Sequence, residues 1–224
     1  MDPHRVEGMA SRRTALRPPL VSEPDLPDIV SPAAPRRSSD LRAAIIEVDG
    51  EADLAHSTLE QCVLSGSGSA LDLDGATMMD VDVRDLRVAK VSARRSTLRR
   101  VRISGGRLGT LDLSDSGVHE LELRDVRIDY LTLAGCKAVD VRVDSCRIAA
   151  LDMPGATLSR VAFAATSSDE VDPRGMRAEH LDLRGLDALG FLDVTALRGA
   201  TLTLRQVELL APVFATAAGI LISD

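Results

Sequence analysis

From Leu71 the chain can be written in fives whose first and third residues are apolar: Leu71 and Leu73, Ala76 and Met78, Val81 and Val83, Leu86 and Val88, Val91 and Ala93. The phase holds through Leu111 and Leu113, Leu121 and Leu123, Leu131 and Leu133, Val141 and Val143, to Val161 and Phe163. Between 71 and 163 this makes 38 inward positions, none of them charged, in a chain of which 27% is charged. Chance would leave such a set uncharged in roughly one case in 10⁵. Intervals of two and three match neither a helical seam, which repeats at three and four, nor a flat strand, which repeats at two. The pattern predicts two inward side chains on a short extended piece, a corner, and the same again. Four such sides close a coil of about 20 residues, and coils stacked ~4.8 Å apart bury each layer against the next.

The array opens at Ala52-Asp53-Leu54-Ala55-His56, Ser57-Thr58-Leu59 and Cys62-Val63-Leu64, and a one-residue slip near Gly66–Ala70 sets the later phase. Late matches include Leu181-Asp182-Leu183-Arg184-Gly185 and Ala200-Thr201-Leu202. These residues resemble the pentapeptide-repeat family, whose repeat is approximately Ala-(Asp/Asn)-Leu-x-x. The resemblance covers about two-thirds of the chain and implies an all-β solenoid, a right-handed parallel quadrilateral β-helix of about seven coils with a short C-terminal helical cap. The sequence departs from that repeat in one regular way. Every second first position is bulky (Leu71, Val81, Val91, Val101), while Ala76, Ser96, Gly106, Ser116, Cys136, Cys146 and Ala156 between them are small.

The phase weakens at Thr166–Pro173, where a bulging loop is expected, and slips again near Gly190. After Leu204 the spacing becomes helical, with Pro212 expected to break or kink the helix, Gly219 to end it, and Ile220–Ile222 to form a short strand. Residues 1–40 carry Pro18, Pro19, Pro24, Pro27, Pro32 and Pro35 and no apolar period, so they read as a disordered arm. The chain thus divides into an arm at 1–40, a β-helix at 41–204, and a helix with a short strand at 205–224. The last serves as a cap, with a dimer contact through Val207, Leu210, Val213 and Phe214 as the alternative, which the resemblance permits because gyrase-targeting members pair end to end through their C-terminal regions.

Composition narrows the function classes. With 45% hydrophobic residues but only 2% aromatic, the core must be thin layers of Leu, Val, Ile and Ala. A net charge of −7 favours solubility and disfavours nucleic acid as a partner. Cys62, Cys136 and Cys146 lack CxxC spacing, which argues against a disulfide framework or zinc site and makes Cys136 and Cys146 small reduced core residues on opposite walls. No membrane-length apolar run or signal-type start is present, and the expectation is a cytoplasmic protein. The absence of Asn beside abundant Arg, Ala and Asp suggests a GC-rich bacterial genome.

No catalytic, cofactor or metal pattern emerges. His4, His56, His119 and His180 are far apart and read as exposed or tail positions, and the Asp72/Asp74 and Asp80/Asp82 pairs read as outward residues on a solvated face. Two charge features stand out. Every twentieth residue gives the column Arg87, Arg107, Arg127, Arg147, which could grip a row of carboxylates, or be a solvated face neutralised by Asp85, Asp125 and Asp129. A basic band from Arg84 to Arg107, including Arg94, Arg95, Arg99 and Arg100, lies between acidic stretches. The first functional reading is therefore a non-catalytic protein–protein interaction rod. The alternative comes from the resemblance: some pentapeptide-repeat proteins imitate B-DNA, bind DNA gyrase and protect it from quinolones. Direct nucleic-acid binding ranks third, since no aromatic is interleaved with the arginines.

Overall fold

A computed structural model of the chain describes residues 15–223. Seventeen strands join in one parallel sheet that winds into about eight turns, followed by a single helix. From Thr77–Arg84 to Arg177–Asp182 each strand pairs with the strand two along, so Thr77–Arg84 lies on Thr97–Ser104 and Arg87–Ser92 on Arg107–Asp112. The register is 20 residues per turn through the middle: Val81 pairs with Val101, Val101 with Leu121, and Leu121 with Val141. All the inward positions from 71 to 163 are buried except Gly106, which is half-buried. The core is a continuous stack from Ala44 to Leu197.

The corners explain the five-residue period. Positive φ recurs at Asp80, Arg100, Glu120, Asp140, Arg160 and His180, with companion series through Gly75, Arg95 and Asp115 and through Asp85, Gly105 and Asp125. The fourth corner, through Lys90, Thr110 and Tyr130, stays in the strand region. At a left-handed corner the amide is turned toward the next coil, where it finds a carbonyl: Asp85 N donates to Ser104 O at 2.8 Å and Asp115 N to Ala134 O at 2.8 Å. These bonds offset the steric cost of the left-handed conformation. The acid at the second position of the repeat braces the approach to the corner series of Gly75, Asp115 and Gly175. Asp72, Asp112 and Asp172 each accept from the amide two residues on, at 2.9, 2.9 and 3.1 Å.

The slip near Gly66–Ala70 is present. Ile45 pairs with Val63 eighteen residues on, and after a shift between Gly50 and Glu51, Ala52 pairs with Leu71, nineteen on. The later slip follows Phe191, which still bridges to Val171 at twenty, whereas Leu181 pairs with Ala200 at nineteen. The expected bulge at Thr166–Pro173 does not form. Thr166–Asp172 is a regular strand with Thr166 and Ser168 buried at inward positions. A hydroxyl can sit there because it bonds to nearby backbone: Thr166 Oγ1 to Ala164 O at 2.8 Å and Ser168 Oγ to Glu170 O at 2.9 Å.

The helix runs unbroken over Leu204–Ala217 with Pro212 inside it, and Ile220–Ile222 is not a strand. Pro212 leaves the two turns before it intact, and the helix ends at its Ala218 cap just before Gly219, which has a φ of 75°. Thr203 and Gln206 form a capping box, and Gln206 Nε2 also donates to Leu183 O and Leu186 O at 2.7 and 2.8 Å. One side chain thus starts the helix and satisfies carbonyls of the last coil. No helix among the described residues is long and apolar enough to cross a membrane.

Candidate interaction faces

The arginine column is real in space. Arg87, Arg107, Arg127 and Arg147 are ladder partners on successive coils, ~4.8 Å apart at their roots, and all are exposed. Asp129 neutralises the middle of the column, accepting from Arg107 Nη2 at 3.0 Å and lying 3.7 Å from Arg127 Nε. Those two guanidinium groups hold its carboxyl below the ordinary range, the Arg107 hydrogen bond having the larger effect. Asp125 turns to Arg124 instead, and Asp85 pairs with no arginine of the column. Among the described residues Arg87 and Arg147 make no ion pair. A shallow open groove runs beside the column, lined by Arg87, Val88, Ala89, Arg107, Gly109 and Asp129.

The basic band is far less basic than its composition. Arg84 and Arg102 hold Asp82 at 2.7 and 3.2 Å, Arg100 holds Asp80, and Arg94 and Arg95 stand 3.9 Å from Asp112 and Asp74. Arg99 remains exposed and without an ion pair among the described residues. Asp80 and Asp82 are therefore not solvated outward acids; they are 5% and 1% exposed. Burial is the largest single effect and would raise both carboxyls, but the arginine hydrogen bonds and charges, joined at Asp80 by the Asp25 amide, together leave both lowered. His180 is likewise buried, while His56 and His119 are exposed and His4 lies outside the described residues.

A second column was hidden in the sequence. The left-handed corner residues Asp80, Arg100, Glu120, Asp140, Arg160 and His180 line one edge of the rod. Arg100 clasps Asp80 with two bonds, and Arg160 clasps Asp140 with two bonds of 2.6 Å. Residues 17–25, expected to be part of a disordered arm, lie on this edge. Arg17 N donates to His180 Nδ1 at 3.3 Å, Leu20 N to Asp140 Oδ1 at 2.9 Å, Ser22 N to Glu120 Oε2 at 3.3 Å, and Asp25 N to Asp80 Oδ1 at 2.8 Å. The composition argument fails for this stretch because the segment needs no core of its own; its amides use side chains already placed by the coils. Every twentieth residue from Asp80 gives this column, in which Arg100 and Arg160 stand among the acids Asp80, Glu120 and Asp140.

Buried thiols complete the inventory. Cys62, Cys136 and Cys146 are free and buried, and burial pushes Cys136 up to about 12 and Cys146 up to about 11. Among the described residues no group of three or more His, Cys, Asp or Glu is placed to hold a metal ion. The C-terminal residues divide by face: Leu210 and Phe214 are half-buried, with Phe214 packed on the core, while Val207 and Val213 are 41% and 43% exposed.

Side after side of five residues, two inward and three out, gives the fold its description. The chain is a pentapeptide-repeat β-helix. No protein-family model and no curated protein matches it. Among solved structures it aligns with two trypsin-treated forms of QnrB1, described as a plasmid-mediated fluoroquinolone resistance protein. One alignment has 16% identity over 88% of this chain and 99% of the other, with a TM-score of 0.33. The second has 15% identity over 84% and 98%, again at 0.33. An overlap that loose transfers no residue or role to this pentapeptide-repeat chain.

Proposed function

We infer that the protein is a non-catalytic interaction rod whose arginine column docks an acidic segment of a partner protein. The observation that carries this reading is the stack Arg87–Arg107–Arg127–Arg147, four guanidinium groups opposed among the described residues by Asp129 alone, on an exposed and regularly spaced ladder. Planar, permanently charged donors at a fixed pitch suit carboxylates better than a flexible lysine patch would. The test is the affinity of a glutamate-rich peptide for the native chain and for the R87E/R147E double variant, with a loss expected in the variant. The partly exposed Val207 and Val213 of the terminal helix suit end-to-end pairing of two rods. Sedimentation against concentration, with V207E/V213E as control, tests that pairing.

A second reading, imitation of duplex DNA toward DNA gyrase, draws on a different column. Asp53, Asp72, Asp112, Asp152 and Asp172 share one edge of the ladder. Ser92 and Thr132 interrupt it, and Arg174 neutralises Asp172 at 2.6 Å. Several of these acids are already engaged by corner amides, which favours a structural use over a display of phosphate-like charge. Inhibition of gyrase supercoiling at stoichiometric protein would promote this second reading; none is expected under the first.

A further inference from the structure

The edge covered by residues 17–25 reads peptide backbone. From the amide over His180 to the amide over Asp80 the segment advances eight residues while the rod advances five coils. Five coils at ~4.8 Å make ~24 Å, and eight residues of polyproline-like chain at ~3.1 Å make ~25 Å. The two rulers agree, so the segment lies fully drawn out along the axis. Its prolines, Pro18, Pro19 and Pro24, favour that conformation, and of the six amides that remain, those of Arg17, Leu20, Ser22 and Asp25 meet an acceptor on the column. Gln61 Nε2 receives the far end by donating to Asp25 O at 3.1 Å, and Arg102 Nη1 holds Glu23 at 3.1 Å. Asp80, Asp140 and His180 beneath the segment are 5%, 2% and 8% exposed.

We propose that this edge is a binding face for an extended, proline-punctuated, acidic peptide of a partner protein, closed in the isolated chain by residues 17–25. It is distinct from the arginine column, seven residues further around each coil. Recognition is by main-chain N–H groups at two- and three-residue spacing, read by Asp140, Glu120, Asp80 and His180, with Arg102 selecting a carboxylate. Arg100 and Arg160 fix the reading carboxylates from the side and so hold them aimed outward. A tethered segment has an effective concentration on the order of millimolar, so a partner must match the pattern well to displace it.

The test uses the full chain, folded first, carrying a protease site between Asp28 and Ile29, both exposed. After cutting, a fluorescent peptide of residues 15–28 is titrated in. The expected result is saturable binding by the cut protein, at least about tenfold weaker binding by the uncut protein, and a further loss of about tenfold when Leu20 and Asp25 of the peptide are N-methylated. No saturable binding after the native fragment has left on gel filtration would overturn the proposal. Equal binding of the N-methylated peptide would overturn it too, because the column would then not be reading amides. A concentration-dependent dimer of the uncut chain that disappears on cutting would reassign the face to the same segment of a second copy.

Discussion

Sixteen residues other than glycine hold positive φ among the described residues, nearly all of them at corners of the coil. Each left-handed corner costs something for a side chain with a Cβ, and the ladder bond made there offsets it. Ala165, at φ 44° and exposed, has no side-chain bond to justify the strain. A165G is expected to raise stability by about 0.5–1 kcal/mol in urea unfolding. Gly68 is the opposite case, since a Cβ there would run into the carbonyl oxygen of Gly50 where the register shifts. G68A is expected to cost more than about 2 kcal/mol, because the obstacle is backbone and cannot step aside. The thiols supply a third residue-scale prediction. Cys62, Cys136 and Cys146 should resist an aromatic disulfide reagent at pH 8 in the native protein and react together once it is unfolded; rapid native labelling of Cys136 would contradict its burial.

At the scale of elements, the layer of inward residues was open to reading because a charge there is prohibitive, so a run of uncharged positions at two-and-three spacing has one explanation. Breaks in that run were harder. Thr166 and Ser168 look like the start of a loop, yet a hydroxyl bonding its own backbone lets the coil continue. Pro212 looks like a break, yet the helix continues through it. The arginine column was legible because its members repeat at the coil length; which acids oppose them was not, since the sequence does not show that the strand residue Asp129 reaches the column while the corner residue Asp125 turns to Arg124. The covering of Asp80, Asp140 and His180 was invisible because it depends on a segment with no period of its own.

Those covered acids make a prediction for the stability of the strap and coils together. Asp140 is lowered chiefly by the Arg160 hydrogen bond; at Asp80 and Asp82 burial is the largest single effect and raises them, but the summed hydrogen bonds and arginine charges leave both lowered. Their folded values lie below the unfolded carboxylate value of about 3.9, so their contribution is complete above that pH and is lost as pH falls through the folded values. The urea midpoint should therefore hold from neutrality to about pH 4 and drop below it, with a shallower drop in D140N. A midpoint that stays level to pH 2 would contradict the pairing of these groups.

For the whole molecule, the charge pattern decides between readings of the rod. Alternation such as Asp82, Arg102, Glu122, Arg142 along one ladder cancels locally and gives no long-range field. The arginine column differs, since four like charges share one line and, among the described residues, only Asp129 answers them. The most direct measurement is the affinity of a labelled glutamate-rich peptide for the native chain and for R87E/R147E, from low to high salt. Arg87 and Arg147 form no ion pair among the described residues, so reversing them leaves the fold's own pairs intact. The account predicts at least about tenfold weaker binding by the variant and an affinity of the native chain that falls as salt rises. Equal, salt-independent binding by both proteins would contradict it and leave the column a solvated face.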